Sequence, residues 1–205
     1  MEGTSSSVLA AIAERRSIRR YQDRPVEPEK LRAALDAARL APSAANAQPW
    51  AFVVVQSPEA RGQLAELILE SHGHFYSDVR VLQPGEQLAE LRSRFVGLAG
   101  APVYVVVCVH PRRRYVRPDH EARTRPWNLA SVAAAMGNLL LAACALGLGT
   151  CWLGVPTLQV ERLRALLGLP DEVEVLGVTP LGYPDESPPP RPRLSFEEVV
   201  HFDRW

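Results

Sequence analysis

From Asn128 to Val160 the chain carries no Asp, Glu, Lys or Arg. An uncharged run of that length is long enough to cross a bilayer. Its content argues otherwise: it is rich in Ala and Gly rather than Leu and Ile, it contains Asn138, and Gly147, Gly149 and Pro156 interrupt it. The reading is a buried helix. Asn128 is its expected N-cap, Leu129, Val132, Met136, Leu139, Leu140 and Ala143 are apolar positions along it, and Gly147 is a left-handed C-terminal cap. A helix apolar nearly all round must be covered on most faces, centrally in the domain or at a subunit interface, and it is read here as a dimer core.

The remaining numbers set the frame. A length of 205 residues with 47% hydrophobic and 22% charged residues suits one globular domain over residues 1–205. Lys plus Arg and Asp plus Glu balance at 23 each, so no global field draws the chain to nucleic acid or to an anionic membrane. Any anion site must be built locally. Cys108, Cys144 and Cys151 lie in apolar segments without CxxC spacing, which argues against a disulfide framework and a zinc site. With no signal-peptide pattern in Met1–Glu14, a cytoplasmic protein is expected.

Ser7 is expected to cap a short helix bearing Val8, Leu9 and Ile12, with Arg15, Arg16, Ser17, Ile18, Arg19 and Arg20 just beyond. Pro28 suits a first helical position, and Leu31, Ala34, Leu35 and Ala38 recur at helical spacing until Pro42. A polar loop then leads into a strand from Trp50 to Val55. Ser57 and Pro58 open a helix through Ile68, whereas Ser71 to Gly85 shows no period. Leu88, Leu91, Phe95 and Leu98 predict a further helix, and Pro102 to Val109 a fully buried strand. After the long helix come a short strand over Thr150 to Gly154, a helix from Thr157 to Gly168, and a strand from Val173 to Leu181. Five prolines within residues 184–192 forbid regular structure and favour an extended arm, before Ser195 caps a last short helix through Val200.

Four segments offer polar chemistry, and each has a plainer explanation. Arg15, Ser17 and Arg19 present the cations and hydroxyl that a phosphate asks for, but arginines after a helix also simply complement its dipole. Ser43, Asn46, Gln48 and Trp50 combine amides, a hydroxyl and an aromatic, a set that turn chemistry alone would produce. The glycines of Gly147 to Gly154 permit close approach to a flat ring. Arg191 and Arg193 sit on a stiff arm, where arginines also serve solubility. No GxGxxG or GxxxxGK loop is present.

Taken in order, these segments resemble the nitroreductase family. Its RxSxRxF signature is similar to Arg15, Ser17, Arg19 and Tyr21, with Tyr in place of Phe. Its APSxxNxQPW loop matches Ala41, Pro42, Ser43, Asn46, Gln48, Pro49 and Trp50, and its GLGxCW segment matches Gly147 through Trp152. Its closing pattern appears as Gly182, Tyr183, Pro184, Arg191, Arg193 and Glu197 to Val200.

The resemblance implies an α+β homodimer with a central, mostly antiparallel β-sheet flanked by helices. FMN would lie at the subunit interface, and the arm of residues 184–205 would extend onto the partner. Arg15, Ser17 and Arg193 would hold phosphate and ribityl, with Arg19 near N1 and O2 of the ring and Arg16 and Arg191 among the further cofactor contacts. Ser43, Asn46 and Gln48 would reach the neighbour's flavin, the amides around Leu153 and Gly154 would face N5, and Pro42, Ala44, Cys151 and Trp152 would be further cofactor contacts. No acid or base side chain is then catalytic. Hydride would pass from NADH or NADPH through FMN to nitroaromatics, quinones or similar small acceptors in ping-pong turnover. Dehalogenation, flavin fragmentation, F420-pathway reduction and non-catalytic flavin binding stay open on the same fold. The loop with Arg112, Arg113, Arg114, Tyr115 and Arg117 is the one argument for a nucleic-acid partner and is read as a solvated lid.

Overall fold

The computed structural model describes residues 8–78, 96–115, 121–154 and 159–205. Four strands form one sheet in the order β1 (Trp50–Val55), β2 (Val103–Val109), β4 (Glu174–Gly182), β3 (Gly149–Thr150), every neighbouring pair antiparallel. This is the expected α+β architecture. The helices are α1 (Val8–Glu14), α2 (Pro28–Arg39), α3 (Pro58–Asp78), α4 (Glu121–Ala145), α5 (Val160–Leu167) and α6 (Phe196–Val199).

Strand β2 explains why its sequence reads as one unbroken apolar run. Side chains alternate across a strand, and here both faces are covered. Val103, Val105, Val107 and Val109 join a cluster with Leu31, Ala34 and Ala38 of α2 and Val132, Met136 and Leu139 of α4. Val106, Cys108 and Tyr104 face the other way, into a cluster with Leu64, Leu67 and Ile68 of α3 and Leu163 of α5. Each such buried aliphatic side chain contributes about 1.5–3 kcal/mol of transfer free energy. Tyr104 carries a hydroxyl into this core and donates it to Leu98 O at 2.6 Å.

The long helix is a core element on one face. Arg123–Ala145 is long and apolar enough to cross a membrane, with a mean hydropathy of 1.6, yet Val132, Ala135, Met136, Leu139, Leu140 and Ala143 are buried against α2 and the sheet. Asn138, its polar interruption, donates its side-chain amide to Ala37 O of α2 at 3.2 Å. The helix ends as expected: Gly147 takes a φ of 76°, and Leu148 N–H donates back to Ala143 O at 2.8 Å. On its other side, Ala130, Ala133, Gly137 and Leu141 stay partly or fully exposed.

Several expectations need correction. The long helix begins at Glu121, with Pro126 inside it, so Asn128 is not its N-cap. The Asn128 side chain instead accepts from Tyr115 N–H at 2.8 Å and donates to Tyr115 O at 2.9 Å, clipping the loop that precedes the helix. Helix α3 continues to Asp78, through part of the segment that shows no period. Leu98 lies in a 3-10 turn, Gly97–Gly100, rather than an α-helix. The strand expected over Thr150 to Gly154 is reduced to Gly149–Thr150 plus a single bridge between Leu153 and Val178. The Ser7 and Thr157 caps and the Leu88–Phe95 part of the predicted helix lie outside the described residues.

Candidate functional site

The end of α1 delivers the first arginine segment, and a parallel bridge fixes it. Ser17 pairs with Thr150 of β3, and Ile18 N–H donates to Thr150 O at 2.9 Å. Tyr21, where the family signature has Phe, buries its ring and donates its hydroxyl to Ile18 O at 2.6 Å, closing the turn between them. Burial and the neighbouring Cys151 push the Tyr21 phenol well above its ordinary range, so it stays a donor.

Residues 19–22 then run beside the start of the arm. Gln22 N–H donates to Tyr183 O at 2.9 Å, Tyr21 bridges Pro184, and Asp185 N–H donates to Arg20 O at 3.0 Å. The two arginine segments, far apart in sequence, thereby share one cleft of about 1120 Å³. Among the described residues, its lining holds Arg15, Arg16, Arg19, Arg20, Arg191 and Arg193, together with Ser17, against a single carboxylate, Glu186. Among the described residues, Arg15, Arg191 and Arg193 form no ion pair. Arg16 is different: its guanidinium donates to Ala13 O at 2.7 Å and Arg15 O at 3.0 Å, the role of complementing a helix end.

The loop after α2 stands apart, and no residue of 41–50 lines that cleft. It is strained: Ala45, Asn46 and Gln48 have φ of 49°, 53° and 50°, a conformation that costs of order 1 kcal/mol or more per non-glycine residue. Ser43 Oγ accepts Gln48 N–H at 3.0 Å, and Ser131 Oγ of α4 accepts Ala44 N–H at 3.1 Å. Over-determined strain of this kind fixes the direction in which the amides of Asn46 and Gln48 are displayed.

The third segment divides. Cys151 and Leu153 are buried, and burial raises the Cys151 thiol. Leu153 spends both backbone groups on Val178, with N–H to O and O to N–H at 2.9 Å each. Trp152 is 41% exposed and Gly154 is exposed, so these two present the accessible surface of the segment. Gly177 makes room for Leu153 and Trp152: a Cβ there would lie 2.6 Å from Leu153 O and 3.0 Å from Trp152 Nε1.

Sequence reasoning passed over Glu186, Ser131 and a latch at the start of the arm. In that latch Tyr183 OH donates to Glu27 Oε2 at 2.5 Å and accepts from Lys30 Nζ at 2.9 Å, while Lys30 also donates to Leu146 O at 3.1 Å. These roles rest on partners distant in sequence, so no local pattern announces them. The arginine-rich loop is internally tied: His110 Nδ1 accepts Arg112 N–H and Arg113 N–H at 3.1 and 3.2 Å, and Arg113 donates to Trp50 O at 3.2 Å.

Comparison with known proteins adds three findings. The model of the Nitroreductase family matches residues 12–183. An NADH dehydrogenase of Thermus thermophilus is 35% identical over 207 residues, covering 93% of each chain, and an iodotyrosine deiodinase of Thermotoga neapolitana is 31% identical over 193 residues, covering 93% of this chain and 95% of its own. A crystal structure of oxidized iodotyrosine deiodinase bound to FMN and 3-iodo-L-tyrosine superposes with a TM-score of 0.78 at 28% identity, over 97% of this chain and all of that one (100%).

Proposed function

The chain belongs to the nitroreductase family, and on that premise we propose that it is an FMN-dependent, NAD(P)H-oxidising oxidoreductase acting as a homodimer on a small-molecule acceptor. The arginine cleft carries this reading, because six guanidinium groups and the Ser17 hydroxyl facing one carboxylate are the donor set that a phosphate ester requires. When bound, FMN supplies the hydride relay, from a nicotinamide donor to the acceptor.

The chain's own residues bind, orient and polarise. Arg15, Arg191 and Arg193 clasp the phosphate while Ser17 meets the ribityl chain, and each charge-assisted hydrogen bond contributes about 1.5–3 kcal/mol. Arg19, fixed between the Ser17–Thr150 bridge and the arm, supplies positive charge to the pyrimidine edge, where negative charge develops on reduction. Trp152 and Gly154 would line the ring, and with the Leu153 amide committed to Val178, the Gly154 amide would be the donor for N5. Ser43, Asn46 and Gln48 reach the second copy's site. On α4 the small, accessible residues Ala130, Ala133 and Gly137, with Leu141 one turn beyond, supply a close helix contact between copies. The unpaired Cys108, Cys144 and Cys151 suit a reducing cytoplasm.

Reductive dehalogenation of a halogenated phenol is the second reading, favoured by the likeness to iodotyrosine deiodinases in sequence and fold. One series separates the two. The purified protein is mixed anaerobically with NADH, then NADPH, then nitroarenes, quinones and 3-iodo-L-tyrosine. A yellow protein whose colour bleaches with a nicotinamide and returns with nitroarene or quinone supports the first reading, and selective return with iodotyrosine supports the second. Arg15→Ala combined with Arg193→Ala removes roughly 3–6 kcal/mol of anion contacts and leaves the protein colourless. A wild type that takes up no added FMN refutes the proposal.

A further inference from the structure

Among the described residues, Glu186 is the one carboxylate lining a cleft otherwise built to attract anions, and the proposed reaction gives it no task. Its placement follows from the antiparallel ladder that starts the arm. Backbone bonds join Gln22 to Tyr183 and Arg20 to Asp185, and the Gln22 side chain donates to Pro184 O at 2.9 Å. At the next rung the partner is a side chain: Glu186 Oε1 accepts the Arg19 N–H. Beyond it stand Pro188, Pro189, Pro190 and Pro192, which have no N–H to offer. Among the described residues, Glu186 is therefore the last fastening of the arm to residues 19–22 before the chain carries Arg191 and Arg193 across the cleft.

We propose that Glu186 is a positioning residue for this anion site: its carboxylate oxygen anchors the arm at Arg19, while its charge lowers the cleft's affinity for anions. The inference rests on the reading of the cleft as an anion site. Geometry and charge act in opposite directions, so two substitutions separate them. Glu186→Gln keeps an acceptor for the Arg19 N–H and removes the charge. Glu186→Ala removes both.

The test uses the full-length protein and two readouts, one of which needs no flavin. Trypsin does not cut Arg191, which precedes Pro192, but cuts after Arg193 when the arm is loose, and mass spectrometry follows that one bond. Inorganic phosphate is titrated as a protecting ligand, and FMN retention is measured by fluorescence on dilution. Glu186→Gln is cut at the wild-type rate, and phosphate protects it at roughly fivefold lower concentration in low salt, the size of one unscreened charge near the site. Glu186→Ala is cut about tenfold faster and needs more phosphate than wild type. Equal behaviour of the two variants overturns the proposal, as does an arm in Glu186→Ala that resists trypsin like wild type. A wild type that is protected by phosphate but binds no FMN refutes the flavin reading and leaves the Glu186 comparison intact.

Discussion

Gly149 is the position where stability and the candidate site meet. Its strand is held on both sides, paired with Gly182 and Leu181 of β4 and bridged through Thr150 to Ser17. A Cβ on residue 149 would lie 2.8 Å from each of Ile18 Cβ, Cγ1 and Cγ2. Favourable carbon contacts begin near ~3.5 Å, and Ile18 is buried and stiff at χ1, so it cannot swing clear. Gly149→Ala is therefore an overpacking change of about 1–3 kcal/mol, which for a domain of this size lowers Tm by roughly 2–12 °C. The relief route pushes Ile18 outward and moves Arg15, Ser17 and Arg19 with it, so FMN retention falls by about tenfold or more. Differential scanning calorimetry and flavin fluorescence on dilution read the two effects. Ile18→Ala in the same chain removes Cγ1 and Cγ2, two of the three overlapping atoms, so the double-mutant cycle shows a favourable coupling of about 0.5–3 kcal/mol. A Gly149→Ala protein that melts within a degree of wild type and keeps its flavin, or a cycle that is strictly additive, refutes the close approach of residues 18 and 149.

Gly137→Ala tests the accessible face of α4: a Cβ there meets nothing within 4 Å in this chain, so in a lone chain the change stabilises the helix by about 0.5–1 kcal/mol. At a helix contact between two copies it does the reverse, and sedimentation velocity with dilution-dependent Tm shows which sign holds. Gly62→Ala in α3, also open and exposed, is the control and raises Tm in either case. Glu27 is held down to about 2, foremost by the Tyr183 hydroxyl and further by its own backbone and Arg24. A depressed carboxylate stabilises the fold above its ordinary value of 4.5 and loses that contribution as pH falls towards 2. Glu27→Gln accordingly flattens the Tm-versus-pH curve between those limits, and an unchanged acid limb would show that the Tyr183 latch carries no load.

Where local chemistry decides, sequence reasoning came close. Trp50–Val55 and the start of α2 at Pro28 match expectation, because a β-branched run and a proline at the first helical turn need no distant partner. The capping box of Ser195 with Glu198 is likewise local, formed within three residues. α4 starts at Glu121 rather than at Asn128, because the Asn128 side chain that suits an N-cap answers instead to Tyr115 thirteen positions away. β3 is shorter than Thr150–Gly154 because only part of that segment finds a ladder on β4. In the site, residue types were legible and partners were not. Arg15 and Arg16 are adjacent, chemically alike and both line the cleft, yet the Arg16 guanidinium is also drawn back to Ala13 O and Arg15 O at the end of α1.

The geometry of one chain also bears on why the proposed enzyme would act as a dimer. The arginine cleft and the strained loop at residues 43–48 are both built at a cost, the first by concentrating like charge and the second by holding three non-glycine residues at positive φ. Neither completes the other within the chain, since the loop does not line the cleft. A two-fold axis is the simplest operation that lets each loop meet the opposite cleft, because an isologous contact uses both surfaces twice. On the proposed reading, then, flavin binding and association are coupled: ligand that touches both copies favours the dimer by mass action. Dilution of the flavin-free protein should give monomers at concentrations where the FMN-loaded protein remains dimeric. An apo protein that associates as tightly as the loaded one would mean that residues 43–48 contribute nothing to the neighbour's site.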